Sequence, residues 1–181
     1  MLRRYAPDDV VDFWRKAGPA RWFDKDSDFD RSFRDRFLQA HLDAAGGVLD
    51  RWTDTVKGTL ALLILLDQYP RNAFRGTPHM YATDAHALRV ARRAIHNGMD
   101  ERVGAAMRLF CYLPFAHAEC LAEQRTSVSL NRSLGQPWLT HAEDHRDIIA
   151  RFGRFPHRNA ILGRTSTADE IAFLAGGGFS G

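Results

Sequence analysis

The chain is poor in cysteine, in lysine and in long apolar runs, and each shortage excludes something. Two cysteines in 181 residues, Cys111 and Cys120, stand nine positions apart. That spacing makes neither a disulfide framework nor a paired metal motif, and it points to a reducing, cytoplasmic setting. The longest apolar run, LALLILL at 60–66, falls far below the roughly 18 residues of a membrane span. It reads as a buried helical segment, and no membrane partner is expected. The opening MLRRYAPDDVVDFW is interrupted by Pro7, Asp8 and Asp9 before any apolar stretch of signal-peptide length develops, so export is not expected. Also missing is the alternation of apolar and polar residues between turn pairs that marks a sheet.

Of the 25 basic residues only Lys16, Lys25 and Lys57 are lysines, while the net charge is just +3. A bias toward arginine is a compositional trait of GC-rich coding, but a guanidinium also grips a carboxylate or phosphate with two parallel hydrogen bonds, which an ammonium cannot do. Distribution separates the two readings. Between 145 and 164 stand Arg146, Arg151, Arg154, Arg158 and Arg164, with His145 and His157, against one acid, Asp147. This local positive field lacks the low-complexity character of a nucleic-acid-binding tail. Aromatics such as Phe29, Phe33, Phe37 and Phe110 recur at helical spacing, which suits a core, so no nucleic-acid partner is expected.

With 45% hydrophobic residues, a chain of this length can remove roughly 70% of its unfolded surface from water as one domain. Every apolar pattern has helical spacing, which predicts an all-α fold of six to eight helices in antiparallel pairs. Pro7 with Asp8 and Asp9 begins the first helix and Gly18-Pro19 ends it. The Phe29, Phe33, Phe37 stripe continues to Gly46-Gly47. A third helix, about Thr55 to Gln68, should stop because the residue before Pro70 is pushed out of the α region. Asp84 is expected to cap a helix ending near Gly98, and further helices are expected over about Asp100 to Tyr112, after Pro114, and over about Pro137 to Phe152. Thr167 and Glu170 have capping-box spacing ahead of the last. Residues 1–5 and 176–181 are expected to fray.

Three constellations could carry chemistry. HAEC at 117–120 is half of a zinc deaminase signature whose cysteine half is absent. HAEDH at 141–145 sets His141 and His145 on one helical face without the glutamate placement of a zinc protease motif. No metal and no cofactor are assigned. The third is a doubled corner: DQYPRNAFRGT at 67–77 and RFGRFPHRNAILGRTST at 151–167. Each places Arg-Asn after an aromatic-Pro bend at a helix end. Asn72 and Asn159 are natural caps, and Arg71 and Arg158 could serve the carbonyls that end a helix. If the copies face each other, Asp67 and Glu119 could pair with the arginines, yet these two acids are too few for Arg71, Arg75, Arg154 and Arg158. Guanidinium groups would then be left for an anion.

The stretches LLDQYPRNAFRGT, LPFAHAECLAEQ and RFGRFPHRNAILGRTSTADEIAFL, with FWRKAGPARWFDKDSDFDRSF and LDRW earlier, resemble the uncharacterised bacterial domain-of-unknown-function family 924 over nearly the whole chain. The resemblance implies a single-domain, tetratricopeptide-like array of helix pairs and no established activity. It also implies that Asp67, Gln68, Arg71, Asn72, Arg75, His117, Glu119, Gln124, His145, Arg154, Phe155, Pro156, His157, Arg158, Asn159 and Arg164 occupy signature positions. The family often has serine where this chain has Ala118, which argues against a serine nucleophile there.

The expectation that follows is a binding domain for a small anionic ligand or a peptide carboxylate. Arg71, Arg154 and Arg158 would hold the anion, Gln68, Asn72 and Asn159 would orient it, and Asp67 and Glu119 would position the arginines. A rival from another class is a hydrolase using His117 or His157 with a carboxylate. A third is an interaction module in which the corners merely lock helices.

Overall fold

The computed structural model describes residues 5–179 and is helical throughout, with no strand among the described residues. The chain divides into two compact units, Met1–Arg75 with His79–Pro114, and Gly76–Pro78 with Phe115–Gly181.

In the first unit, helix α1 (Pro7–Ala17) has Asp8 and Asp9 in its first turn and Arg15 and Lys16 in its last, each complementing the helix dipole. Gly18, at φ +75°, turns the chain into the single turn α2 (Pro19–Trp22). Asp26 accepts the backbone N–H groups of Asp28 and Phe29, both at 3.0 Å, and so starts α3 (Ser27–Ala45). The phenylalanine stripe of α3 faces inward. Phe33 lies 5.3 Å from the rings of Phe13 and Trp14 and 5.0 Å from Tyr69, a cluster of edge and stacked contacts that supplies much of the apolar burial.

Helix α4 (Val56–Leu63) is buried from Gly58 onward. Pro70 does not end it, contrary to the sequence expectation. The chain widens into a π segment, Ile64–Gln68, and passes through the proline into α5 (Tyr69–Ala73). The Tyr69 N–H reaches back to the Ile64 carbonyl, the five-residue bond of a π turn. Proline has no N–H for the carbonyls of Leu65 and Leu66. Other elements supply the donors: His41 Nδ1 bonds Leu65 O at 2.9 Å, and the Thr83 hydroxyl bonds Leu66 O. Burial depresses the His41 pKa, so the ring is a neutral Nδ1–H donor there.

Asp84 is the first residue of α6 (Asp84–His96) and not its cap; Thr83 precedes it without a capping side chain. The helix expected over Asp100 to Tyr112 is broken. A single turn, α7 (Met99–Arg102), is followed by Gly104, a 3₁₀ turn at Ala105–Met107 and α8 (Leu109–Ala116), which contains Pro114 and carries the chain from the first unit to the second.

In the second unit α9 runs Leu121–Asn131 and α10 runs Trp138–Phe152, ending at Gly153 in the left-handed region. Their polarity is unusual, because α9 buries Gln124, Ser127 and Asn131 beside Val128. Gln124 explains where α8 stops: its Nε2 donates to Ala116 O and Ala118 O, both at 2.8 Å, and the freed segment 117–120 links the helices. His117 and Glu119 therefore sit in a connection and not on the helix expected after Pro114. The capping box of Thr167 and Glu170 starts α11 (Ala168–Ala175). Gly176 to Phe179, expected to fray, take a defined path: Gly176 and Gly178 return N–H bonds to Ala172 O and Phe173 O. Of the segments expected to fray, residues 1–4 and 180–181 lie outside the described ones.

Candidate functional site

The first corner is saturated by its own unit. Asp67 and Gln68 project from the buried π segment, and Gln68 Nε2 donates to Asp67 Oδ2 at 2.5 Å. The Arg71 guanidinium donates to Asp67 O at 2.9 Å, lies 3.2 Å from Asp67 Oδ1, and grips both oxygens of Asp84 at 2.8 and 2.9 Å. Burial alone would lower the Arg71 pKa; Asp67 and Asp84 outweigh it and hold it above the ordinary value. Arg75 forks onto Asp30 at 2.9 and 3.1 Å and takes Asn72 Oδ1 at 3.0 Å, while Asn72 Nδ2 donates to Gln68 O. Among the described residues no buried polar atom of this corner lacks a hydrogen bond.

The second corner is built differently. Phe155, Pro156, Arg158 and Asn159 are buried around the 3₁₀ turn Pro156–Arg158. Two carboxylates brace it. Glu170 takes Arg154 through both oxygens, at 2.6 and 2.8 Å, and accepts the Thr167 N–H at 2.7 Å. Those bonds, Arg154 first, hold the Glu170 carboxyl down to about 2. Glu119 takes Arg164 at 2.7 and 3.0 Å and the Phe155 N–H at 2.8 Å. Burial pushes the Glu119 carboxyl up, but Arg164, the Phe155 N–H and the nearby Arg158 prevail and its pKa falls below the ordinary value. Asp30, Asp84 and Glu170 thus make good the shortage of acid inferred from sequence. Arg71, Arg75, Arg154 and Arg164 each hold a carboxylate of their own unit.

What remains is a group of rings around Arg158. Its guanidinium carbon lies 4.5 Å above the Phe155 ring, and Nη2 donates to His117 O at 3.0 Å. Phe155 meets His145 edge-on at 5.3 Å and His157 at 5.6 Å. Phe179 closes the group, 4.7 Å from His145 and 5.1 Å from His157, while itself well exposed. His145 Nδ1 is buried and has no hydrogen-bond partner among the described residues. Its pKa is driven down to about 3, first by burial and then by the positive potential of His117, Arg158, His157 and His141. In the same unit Gln124 Oε1, Asn131 Oδ1, Asn159 Oδ1 and Arg164 Nε are also buried without a partner. Asn159 spends its Nδ2 on Ser166 Oγ at 3.1 Å.

The structure therefore brings His117, Glu119, Arg154, His157, Arg158 and Asn159 into the second unit, and places Asp67, Gln68, Arg71, Asn72 and Arg75 in the first. Sequence reasoning left Phe179 out, because its neighbours Gly176 to Gly178 read as a tail. A lone aromatic directly after a glycine run was the available signal. His141 stays exposed on α10 while His145 turns inward, and no group of three His, Cys, Asp or Glu among the described residues is arranged to hold a metal. No helix among the described residues is long and apolar enough to cross a membrane.

Comparison with known proteins agrees with the motifs. The model of a family described as bacterial protein of unknown function (DUF924) matches residues 10–178. The chain is also similar to a solved structure, a protein of unknown function, ATU0120, from Agrobacterium tumefaciens. It shares 55% identity with that protein at a TM-score of 0.91, over 93% of this chain and 96% of that one. No curated protein matches.

Proposed function

This chain belongs to the bacterial family of unknown function DUF924, which brings no activity with it, and we propose from the geometry of its second unit that it is an oxyanion-binding protein. The ligand would present a carboxylate or phosphate, on a small molecule or at a peptide C-terminus, to the cluster of His145, His157 and Arg158. The observation that carries this reading is His145. A buried polar atom with no partner costs about 1–3 kcal/mol, and in a native protein such an atom calls for a water, an ion or a functional role. A neutral imidazole carrying its proton on Nδ1 is a donor, and the groups that raise the potential around it are cationic. An oxyanion would accept from that N–H and be balanced by Arg158. Phe179, exposed and seated on the rings of His145 and His157, is the group whose movement would admit it.

The hydrolase reading has less support. It needs a carboxylate to orient His117 or His157, and the two considered for the task are committed: Glu119 to Arg164 and the Phe155 N–H, Asp67 to Arg71 and Gln68. The first corner fits the architectural reading instead.

Calorimetric titration with inorganic phosphate and with N-acetylglycine tests the proposal. A saturable isotherm for either in the wild type, lost in Arg158→Ala with helix content unchanged by circular dichroism, is the expected result. Isotherms that are absent, or that Arg158→Ala leaves unaltered, would overturn it.

A further inference from the structure

The first unit contains a cavity of about 550 Å³ bounded by α1, α2, α4 and the segment 102–107. This volume falls within the roughly 300–1,000 Å³ typical of small-molecule sites. Its walls are apolar, with Val11, Trp22, Leu60 and Met107 all buried side chains. Its lining also includes three cations, Arg15, Lys57 and Arg102. Two of these are offset locally: Lys57 pairs with Asp8, and Arg15 lies 3.1 Å from Asp12. Arg102 pairs with no carboxylate among the described residues and is exposed. The edge beside it is made of Gly104, Ala105 and Ala106, all exposed, and a Cβ added at Gly104 would meet nothing within 4 Å. The opening is thus kept wide by small residues, with surplus positive charge next to an apolar interior.

We propose that this cavity binds an amphiphilic acid. The apolar body lies against Trp22 and Leu60, which removes it from water, and the carboxylate stays at the mouth within reach of Arg102. A wholly apolar ligand would leave Arg102 unused. A wholly polar one would have to give up its hydration to walls that return no hydrogen bonds. An alkyl or aryl carboxylate satisfies both halves, because burial of the tail supplies affinity and the guanidinium selects the ionised head.

Octanoate is a suitable probe, with octanamide as its neutral counterpart of nearly equal shape. Binding is followed on the intact chain by the indole N–H resonance of Trp22, which lines the site and donates to Trp14 O. Octanoate should shift this resonance saturably, and octanamide should bind about tenfold more weakly, the loss expected for one charge-assisted hydrogen bond. Arg102→Glu, at an exposed position, should weaken octanoate by at least that factor while leaving octanamide unchanged. Ala106→Trp, also exposed, should fill the mouth and abolish both. Absence of a saturable shift in the wild type would overturn the site, as would undiminished binding to Ala106→Trp. Equal affinity for octanoate and octanamide would overturn the assignment of an acid.

Discussion

Exchanging Arg71 for methionine keeps an unbranched apolar stem in place and removes only the guanidinium. What it strands can be read from the structure. Asp67 is 1% exposed and Asp84 18%, and both carboxylates face Arg71 at 2.8 to 3.2 Å. Breaking a buried pair by removing one partner costs about 3–5 kcal/mol, because the remaining charge has neither solvent nor counter-charge. For a chain of this size about 2–4 °C of Tm accompanies each kcal/mol, so Tm should fall by about 6–20 °C. Urea unfolding at pH 7 is the assay, with an unchanged m-value required for the comparison. Acidification should narrow the gap between variant and wild type, since a proton on the stranded carboxylate substitutes for the lost cation. Arg71→Lys should recover only part of the loss, having a charge but no fork. A cost below about 1 kcal/mol, the range of an exposed surface pair, would refute the claim that this corner is a structural lock.

Other consequences are equally specific. Thr83→Val, nearly isosteric, removes the donor to the Leu66 carbonyl that Pro70 cannot serve, and should cost about 1–3 kcal/mol in urea unfolding. Gly58→Ala would gain helix propensity on an exposed helix. Here the added Cβ would meet Trp52 O at 2.2 Å, and a destabilisation of about 1–3 kcal/mol is expected instead. In acid, His145 and Glu170 add to the decline in stability that the depressed groups His41 and Glu119 also cause. His145, with its folded pKa lowered to about 3, binds its proton more readily in the unfolded chain, so stability falls as pH drops from about 6.5 toward 3. Glu170, lowered to about 2, contributes stability that is fully present above about 4.3 and lost as pH falls toward 2. Urea midpoints against pH should show His145→Asn flattening the upper part of this decline and Glu170→Gln the lower part.

Signals that depend on neighbours in sequence could be read directly. The capping box of Thr167 and Glu170, the stop at Gly153, and the stripe of Phe29, Phe33 and Phe37 all appear in the structure where spacing put them. What could not be read depends on partners far along the chain. Pro70 should have ended a helix by local rules, and it does not because His41 and Thr83, 24 and 17 residues from the carbonyls they serve, supply the missing donors. The same holds for charge. Asp30 lies 45 residues from Arg75, and Glu119 lies 45 from Arg164, so a count of nearby acids misjudged how many arginines were spoken for. The split of His117 and Glu119 from a helix follows from Gln124, whose side chain serves the carbonyls of Ala116 and Ala118 from eight and six residues ahead. Within the candidate site, the motif pointed to Arg158 and His157, whereas the burial of His145 and the return of Phe179 are products of packing.

The most direct test of the oxyanion proposal is the titration of His145 itself, followed by ¹⁵N NMR of its imidazole with and without inorganic phosphate. Without the anion the ring should stay neutral through pH 5 and titrate near 3, because burial and the surrounding cations oppose its charge. With phosphate the midpoint should rise, since an anion seated between His145 and Arg158 stabilises the imidazolium. A ring that titrates near the ordinary histidine value, or one whose depressed midpoint phosphate does not move, would contradict the account.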